Sequence, residues 1–294
     1  MRKLGLGGLA LLLVALAAAC GSSKKAAAPT TTTTTSCKVA DLPLLTPGQL
    51  TVGTDNPAYP PWFGGTPPKG SPWKIGDPTS GKGYESAVAY AVAKRLGFSR
   101  DQVMWKYVPF NSSFAPGAKP FDFDINQITF DPKRAKVVDF SDSYYNENQA
   151  VVVVKGTDIA SVKNLSGLRS FELGAQLGTT SYQFIKDTVK PSKQPSVFPS
   201  NAGAVQALKN KQIDGLMVDL PTAFYVTAVQ VPNSKILGQF PTKPGGEHFG
   251  MVFQKGNSLV TCVNKALTTL RDNGTLQNLQ QKWLAKATGA PILK

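Results

Sequence analysis

Histidine occurs once in this 294-residue chain, at position 248, and cysteine three times, at positions 20, 37 and 262. So few nitrogen and sulfur ligands exclude zinc ribbons and disulfide-dense scaffolds, and nothing in the sequence calls for a metal or a cofactor. A hydrolase built on Ser, His and Asp would depend wholly on His248, and no nucleophile-elbow motif supports one. Uninterrupted apolar runs of roughly 18 residues are also missing, which excludes a polytopic membrane protein. Acidic residues are scarce, with Asp+Glu 18 against Lys+Arg 32 and a formal net charge of +14. That balance suits nucleic acid, a polyanionic surface or plain solubility, but the basic residues are scattered and form no stripe that nucleic acid would require. Apolar material is plentiful. The chain is 41% hydrophobic with Phe 15, Tyr 8 and Trp 4, enough for one large core or two small ones and incompatible with wholesale disorder.

Arg2 and Lys3 precede an apolar stretch, Leu4 to Ala19, that is short for a bilayer span, and residues 1–19 therefore read as a signal peptide. Its end, Ala17-Ala18-Ala19-Cys20-Gly21, resembles a bacterial lipobox, although Ala17 stands where that motif more often has Leu. The resemblance implies lipid attachment at Cys20, and hence a lipoprotein held on the outer face of the cell membrane; plain secretory cleavage beside an incidental Cys is the alternative. Residues 20–37 include six consecutive threonines, Thr30–Thr35, and read as a flexible tether. Residues 22–36 of it, at about 3.3 Å per residue, reach about 50 Å from a lipid surface when extended. With Cys20 assigned to lipid, Cys37 and Cys262 are expected to form a disulfide in an oxidising compartment, two free thiols being the alternative.

From Lys38 onward, short β-rich runs alternate with helical ones. Leu50–Gly53, Val103–Val108, Ala150–Val154, Arg169–Leu173, Ser196–Phe198, Ile213–Val218 and Phe249–Phe253 read as strands. Tyr84, Ala87, Val88, Ala91, Val92 and Leu96 fall on one face of a helix that Gly97 ends, and further helices follow Thr180, span Ala202–Lys209, start at Pro221, and cover Leu259–Arg271 and Leu276–Lys286. The Val-rich run at 150–154 suits a strand buried on both faces. The expected fold is therefore α/β, in two lobes. Residues 64–83, dominated by Gly, Pro, Lys and Ser, form a long loop of the kind that is usually functional or mobile.

The stretch Asn126-Gln-Ile-Thr-Phe-Asp-Pro-Lys-Arg134, continuing through Asp139-Phe-Ser to Tyr144-Tyr145, is similar to the signature of extracellular solute-binding proteins of family 3, the amino-acid receptors of ABC importers. Further matches lie in order along the chain: Gly53-Thr54-Asp55 with Tyr59-Pro-Pro-Trp62, Gly178-Thr179-Thr180, Asp214-Gly215 with Asp219, Lys255-Gly256-Asn257, and Asn273-Gly-Thr275 with Trp283. The resemblance implies a type II periplasmic-binding-protein clamshell, with lobe 1 at 38–147 plus 245–294 and lobe 2 at 148–244. The crossing segments would lie near 146–150 and 239–246. It further implies a monomer that captures an amino acid or a related polar metabolite and hands it to ABC permease subunits.

Within that resemblance, Arg134 corresponds to the arginine that clamps the ligand carboxylate, a task for which two parallel guanidinium N–H groups are suited. Asp219 corresponds to the acceptor of the ligand ammonium, although an Asp before Pro221 also reads as a helix cap. Gly178, Thr179 and Thr180 lie at a strand-to-helix turn that would offer N–H donors, an ordinary helix cap being the alternative. Thr129, Gln127 and Asn126 occupy the ligand-facing strand, where this chain departs from the family by carrying amides at 126 and 127, and Asp131 where Thr is usual. Tyr59 and Trp62 match aromatic walls, and Asp55 a position that meets a cationic side chain in some members. Trp105, Tyr144 and Tyr145 are lesser candidates, and His248 reads as a surface or hinge residue. A competing enzyme on this scaffold, such as a dehydratase-like lyase, would need a general acid or base, for which Asp131 and Glu172 are the candidates.

Overall fold

The computed structural model describes residues 36–241, 246–284 and 290–293. The signal peptide, Cys20, nearly all of the tether and the expected end of the last helix at Lys286 lie outside the described residues. In chain order the strands are β1 (Leu50–Thr54), β2 (Val103–Tyr107), β3 (Phe123–Asp124), β4 (Val138–Phe140), β5 (Tyr145–Asn146), β6 (Gln149–Val154), β7 (Leu173–Gln176), β8 (Ser196–Phe198), β9 (Gly215–Asp219), β10 (Ser234–Phe240), β11 (His248–Phe249) and β12 (Val252–Gln254). The α-helices are α1 (Tyr84–Leu96), α2 (Phe110–Ser113), α3 (Thr180–Phe184), α4 (Asn201–Lys209), α5 (Leu220–Tyr225), α6 (Leu259–Asp272) and α7 (Thr275–Leu284).

Two five-stranded sheets organise the molecule, in the orders β2-β1-β3-β12-β4 and β10-β6-β9-β7-β8. In the first, β1 runs parallel to β2 and β3, and β12 is antiparallel to β3 and β4. In the second, β7 runs parallel to β8 and β9, while β6 is antiparallel to β9 and β10. Each sheet has its own core. Leu50 and Val52 of β1 pack with Val88, Val92 and Leu96 of α1 and with Val263, Leu267 and Leu270 of α6. Alternate residues of β6 feed the two faces of the second sheet: Ala150 and Val152 join α4 and α5, whereas Val151 and Val153 join Leu168, Ile185 and Met217. That division is why the run reads as continuously apolar.

A two-stranded ribbon, β5 with β11, joins the halves, pairing Asn146 with His248 and Tyr145 with Phe249. The late strand expected over Phe249–Phe253 is therefore divided into β11 and β12. Gly250 and Met251 break it, where Gly250 N donates to Ile128 O and Met251 N to the Ser141 hydroxyl. The strand expected at Arg169–Leu173 is also displaced: Leu165–Ser170 is a 3-10 turn, capped by the Asn164 side chain on Gly167 N, and the strand begins at Leu173. Small residues hide it from a hydrophobicity reading, because Gly174 must fit beneath Ile213 and Phe198. The end of the chain, expected in the first lobe, returns to the second sheet. Gln239 N donates to Pro291 O, Leu293 N donates to Gln239 O, and Leu293 is buried against Gly238.

Residues 64–83 form a hydrogen-bonded loop. The buried Asp77 accepts from Thr79 N and Oγ1, Ser80 Oγ donates to Gly64 O, and Asn56 clasps the far side through Pro72 O and Lys74 N. The loop is a frame for Tyr59 and Trp62, since Ala58 N pairs with Lys74 O and Gly76 N with Ala58 O.

Cys37 and Cys262 are joined in a disulfide, with Cα atoms 5.5 Å apart and 225 positions between them in sequence. It pins the first described residues to α6. The bond closes nearly the whole fold into one loop, so replacing both cysteines by serine should lower unfolding free energy by about 2–4 kcal/mol in denaturant titrations.

Candidate functional site

Parallel strands deliver their C-terminal ends to one side of a sheet, and the residues just beyond those ends are free to face a ligand. Asp55 follows β1, the segment Asn126–Thr129 follows β3, Gly178–Thr180 follow β7, and Asp219 closes β9. These ends line one cavity of about 330 Å³ between the two sheets. Asp55, Tyr59, Trp62, Gln127, Thr129, Arg134, Thr179, Thr180 and Asp219 all border it. Gly178 does not border it and acts through its backbone.

Arg134 starts a 3-10 turn whose N–H groups at 133 and 134 are capped by Asp131 Oδ1, at 2.6 and 3.2 Å. Asp131 thus serves the turn, which explains an acid at this position. The guanidinium spans the two halves: Nη1 donates to Thr129 O at 2.7 Å and Nη2 to Gly178 O at 2.6 Å. It lies 4.1 Å from the Phe114 ring, a cation–π arrangement that supports its planar face. Burial lowers its pKa to about 10, which leaves it charged at neutral pH.

Across the cavity, Thr179 is the N-cap of α3; its hydroxyl accepts from Tyr182 N and donates to Gln176 O. That hydroxyl is consumed by capping, as in an ordinary helix cap. Thr180 Oγ1 stands 3.2 Å from Thr129 Oγ1 of the opposite half. Gly178 has φ +83, and a Cβ there would lie 2.2 Å from Asn111 Oδ1, so both conformation and the approach of Asn111 demand glycine. Asp219 occupies the capping position of α5 but makes no side-chain cap hydrogen bond. Its carboxylate is instead hydrogen-bonded to Glu147, which belongs to a cluster with Glu247 and Gln149 beside the β5–β11 ribbon. Burial among like charges holds the Glu147 proton far above the usual range, and burial raises Asp219 to about 6. Asp55 is also raised, chiefly by burial.

Trp62 is both core and wall. It is 1% exposed, packs edge-on against Tyr84, Tyr145 and Phe249, and sends Nε1 across to Thr222 Oγ1 at 3.1 Å. Tyr59 sits 6.1 Å from the Tyr225 ring. The lesser candidates stay outside the cavity lining: Trp105 Nε1 donates to Tyr90, and Tyr144 donates to Glu85. His248 stacks on Phe130 and touches Gly246 O. Glu172 is engaged by Ser196 and Lys193 at the far edge of the second sheet, so neither proposed general acid or base borders the cavity.

Glu85 was not among the sequence candidates. An acid in the first turn of a helix reads as an ordinary partner for the helix dipole, yet Glu85 is fully buried under Gln127 and accepts from Gln127 N at 2.6 Å, from Gln127 Nε2 and from the Tyr144 hydroxyl. Gln127 itself adopts φ +47. Among the described residues no group of three or more His, Cys, Asp or Glu is placed to hold a metal ion.

Residues 50–286 match the model of bacterial extracellular solute-binding proteins, family 3. The chain belongs to that family. It is similar to the arginine-binding extracellular protein ArtP of Bacillus subtilis, 29% identical over 205 residues, which cover 68% of this chain and 77% of ArtP. The L-cystine-binding protein TcyA of the same organism is 31% identical over 245 residues, 81% of this chain and 82% of TcyA. An ancestral arginine-binding protein bound to glutamine superposes with a TM-score of 0.66 at 34% identity, over 81% of this chain and 98% of that one. A second such structure, bound to arginine, gives 0.65 at 33%, over 80% and 98%. In this family 3 protein, then, the two sheets are the lobes of a type II clamshell.

The buried Glu85 makes the stability of the protein depend on pH. Burial raises its pKa from 4.5 to about 7, so the folded state holds the proton more tightly than the unfolded chain. The resulting stability is complete below about 4.5 and is lost as pH rises through 7. Between those limits the wild type should lose about 3 kcal/mol more than Glu85→Gln in denaturant titrations at matched pH.

Proposed function

We propose that this protein is an extracytoplasmic receptor that takes one amino acid between its lobes and presents it, enclosed, to an ABC permease. The observation that carries this reading is the cavity itself, with the Arg134 guanidinium on one side and the Asp219 carboxylate on the other. A ligand bearing both a carboxylate and an ammonium satisfies both at once, and a volume of about 330 Å³ holds one small solute. The relatives named for arginine and L-cystine, and the ancestral structures bound to glutamine and to arginine, take ligands of this class. Lobe 1 comprises residues 38–147 and 245 to the end of α7, lobe 2 residues 148–244 with the returning tail. A ligand that touches both stabilises the closed arrangement only. The remaining site assignments follow: Thr129 and Thr180 supply hydroxyls, Tyr59 and Trp62 wall the ligand side chain, and Gly178 orients Arg134. Cys20 carries the lipid, the Thr-rich segment is the tether, and the receptor works as a monomer at the membrane surface.

Arg134→Ala should weaken binding of the cognate amino acid by at least about 100-fold, about 2.7 kcal/mol, and abolish its thermal stabilisation while the ligand-free protein stays folded. Stabilisation equal to wild type would remove Arg134 from the site. Asp219 makes a second prediction. Its ammonium contact needs the ionised form, so affinity measured by calorimetry should fall as pH drops below about 6, approaching tenfold per unit, and Asp219→Asn should be weak at every pH.

A further inference from the structure

Gln127 is the feature of the cavity that the amino-acid receptor reading leaves without a role. It borders the cavity, and its backbone is left-handed at φ +47. Both its backbone N–H and its side-chain Nε2 are directed at one buried carboxylate, Glu85. The amide is planar with its oxygen and nitrogen at opposite ends, so fixing Nε2 on Glu85 leaves Oε1 as the end available to a ligand.

The two Glu85 oxygens are not equivalent. Oε1 receives two donors, Gln127 N and the Tyr144 hydroxyl, whereas Oε2 receives only Gln127 Nε2. A proton on Glu85 therefore belongs on Oε2, where it faces the N–H of the amide. Two donors cannot share that line. Rotation of the amide by half a turn relieves the conflict, because Oε2–H then donates to Gln127 Oε1 and the NH₂ group turns to the cavity.

Resting on the amino-acid receptor reading, we propose that Glu85 is a positioning residue for ligand specificity: its ionised form makes Gln127 present an acceptor to the ligand side chain, and its protonated form makes Gln127 present a donor. The receptor then prefers donor-bearing side chains when Glu85 is charged and loses that preference when Glu85 takes up a proton. Burial places this change near pH 7. The groups that face Glu85 are Tyr84 beside it on α1, Tyr144 ahead of β5, Asp124 at the end of β3 and Asp219 at the end of β9. The tyrosines are held neutral by burial, and Asp124 is held far above its usual range by burial and by the neighbouring acids. Asp219 contacts the ammonium common to all amino acids, so its titration cancels in a ratio of affinities.

The test is calorimetry with arginine, whose side chain offers only donors, and glutamate, whose ionised side chain offers only acceptors. At pH 8.5 Glu85→Gln, whose amide donates to Gln127 Oε1, should move the arginine-to-glutamate affinity ratio toward glutamate by at least tenfold relative to wild type. The wild-type ratio should move the same way between pH 8.5 and 5.5. Both shifts should vanish in a Gln127→Ala background; a shift that persists there is a simple field effect of the lost charge and overturns the proposal. An unchanged ratio with both ligands still bound overturns it as well. If neither ligand nor any other amino acid binds the wild type, the receptor reading itself fails. Should Glu85→Gln not fold, the pH dependence of wild type against Gln127→Ala decides the matter alone.

Discussion

The Arg134 guanidinium is the contact on which the arrangement of the cleft depends. One planar cation, buried against Phe114, reaches the backbone of both halves, Thr129 on one side and Gly178 on the other. A group that is costly to strip of water can be held there because each Nη finds a backbone carbonyl oxygen and the ring supports its face. The surrounding choices follow from it. Asp131 caps the turn that aims it, Gly178 leaves space for Asn111 so that its carbonyl can turn inward, and Thr129 and Thr180 meet beside it.

Around the Arg134 guanidinium the protein gathers more carboxyl groups than this cation can balance, and a second buried cation, Lys119, faces one of them, Asp124. Glu85, Asp124, Glu147 and Asp219 lie deep in the molecule, and burial raises the pKa of each. Shared protons and amides make part of the excess tolerable: Glu147 shares with Asp219 and accepts from Gln149 Nε2, and Gln127 donates to Glu85. These carboxyls lie deep in a protein whose formal net charge is strongly positive. The net charge of +14 is a property of the exterior and says nothing about what the interior attracts.

How much of this was legible depends on how local the cause was. Gly97 ending α1, Ser200 capping α4 and the both-faces burial of β6 all follow from short-range pattern. So do the strand ends near Asp55 and Asp219, whereas the two-residue strand ahead of Thr129 was not read from the pattern. The strand at Leu173–Gln176 was misplaced because Gly174 is small for the sake of Ile213 and Phe198, distant in sequence. Thr179 and Asp219 each sat at a helix start and each could have been a cap; one is and the other is not, and the difference is the presence of Glu147 across the sheet. Glu85 was not singled out because nothing nearby in sequence shows that Gln127 and Tyr144 lie over it.

The sequence by itself determined the family, the alternation of strands and helices, and the residue types that a two-ended polar ligand needs, because periodicity and motif order are properties of neighbouring residues. Only the tertiary structure supplied the 5.5 Å Cα separation that the expected Cys37–Cys262 bond requires, returned the tail to the second sheet, and set a Glu on α1 against the Gln127 amide. Those outcomes rest on distances between segments tens to hundreds of residues apart, and such distances exist only once both cores have packed.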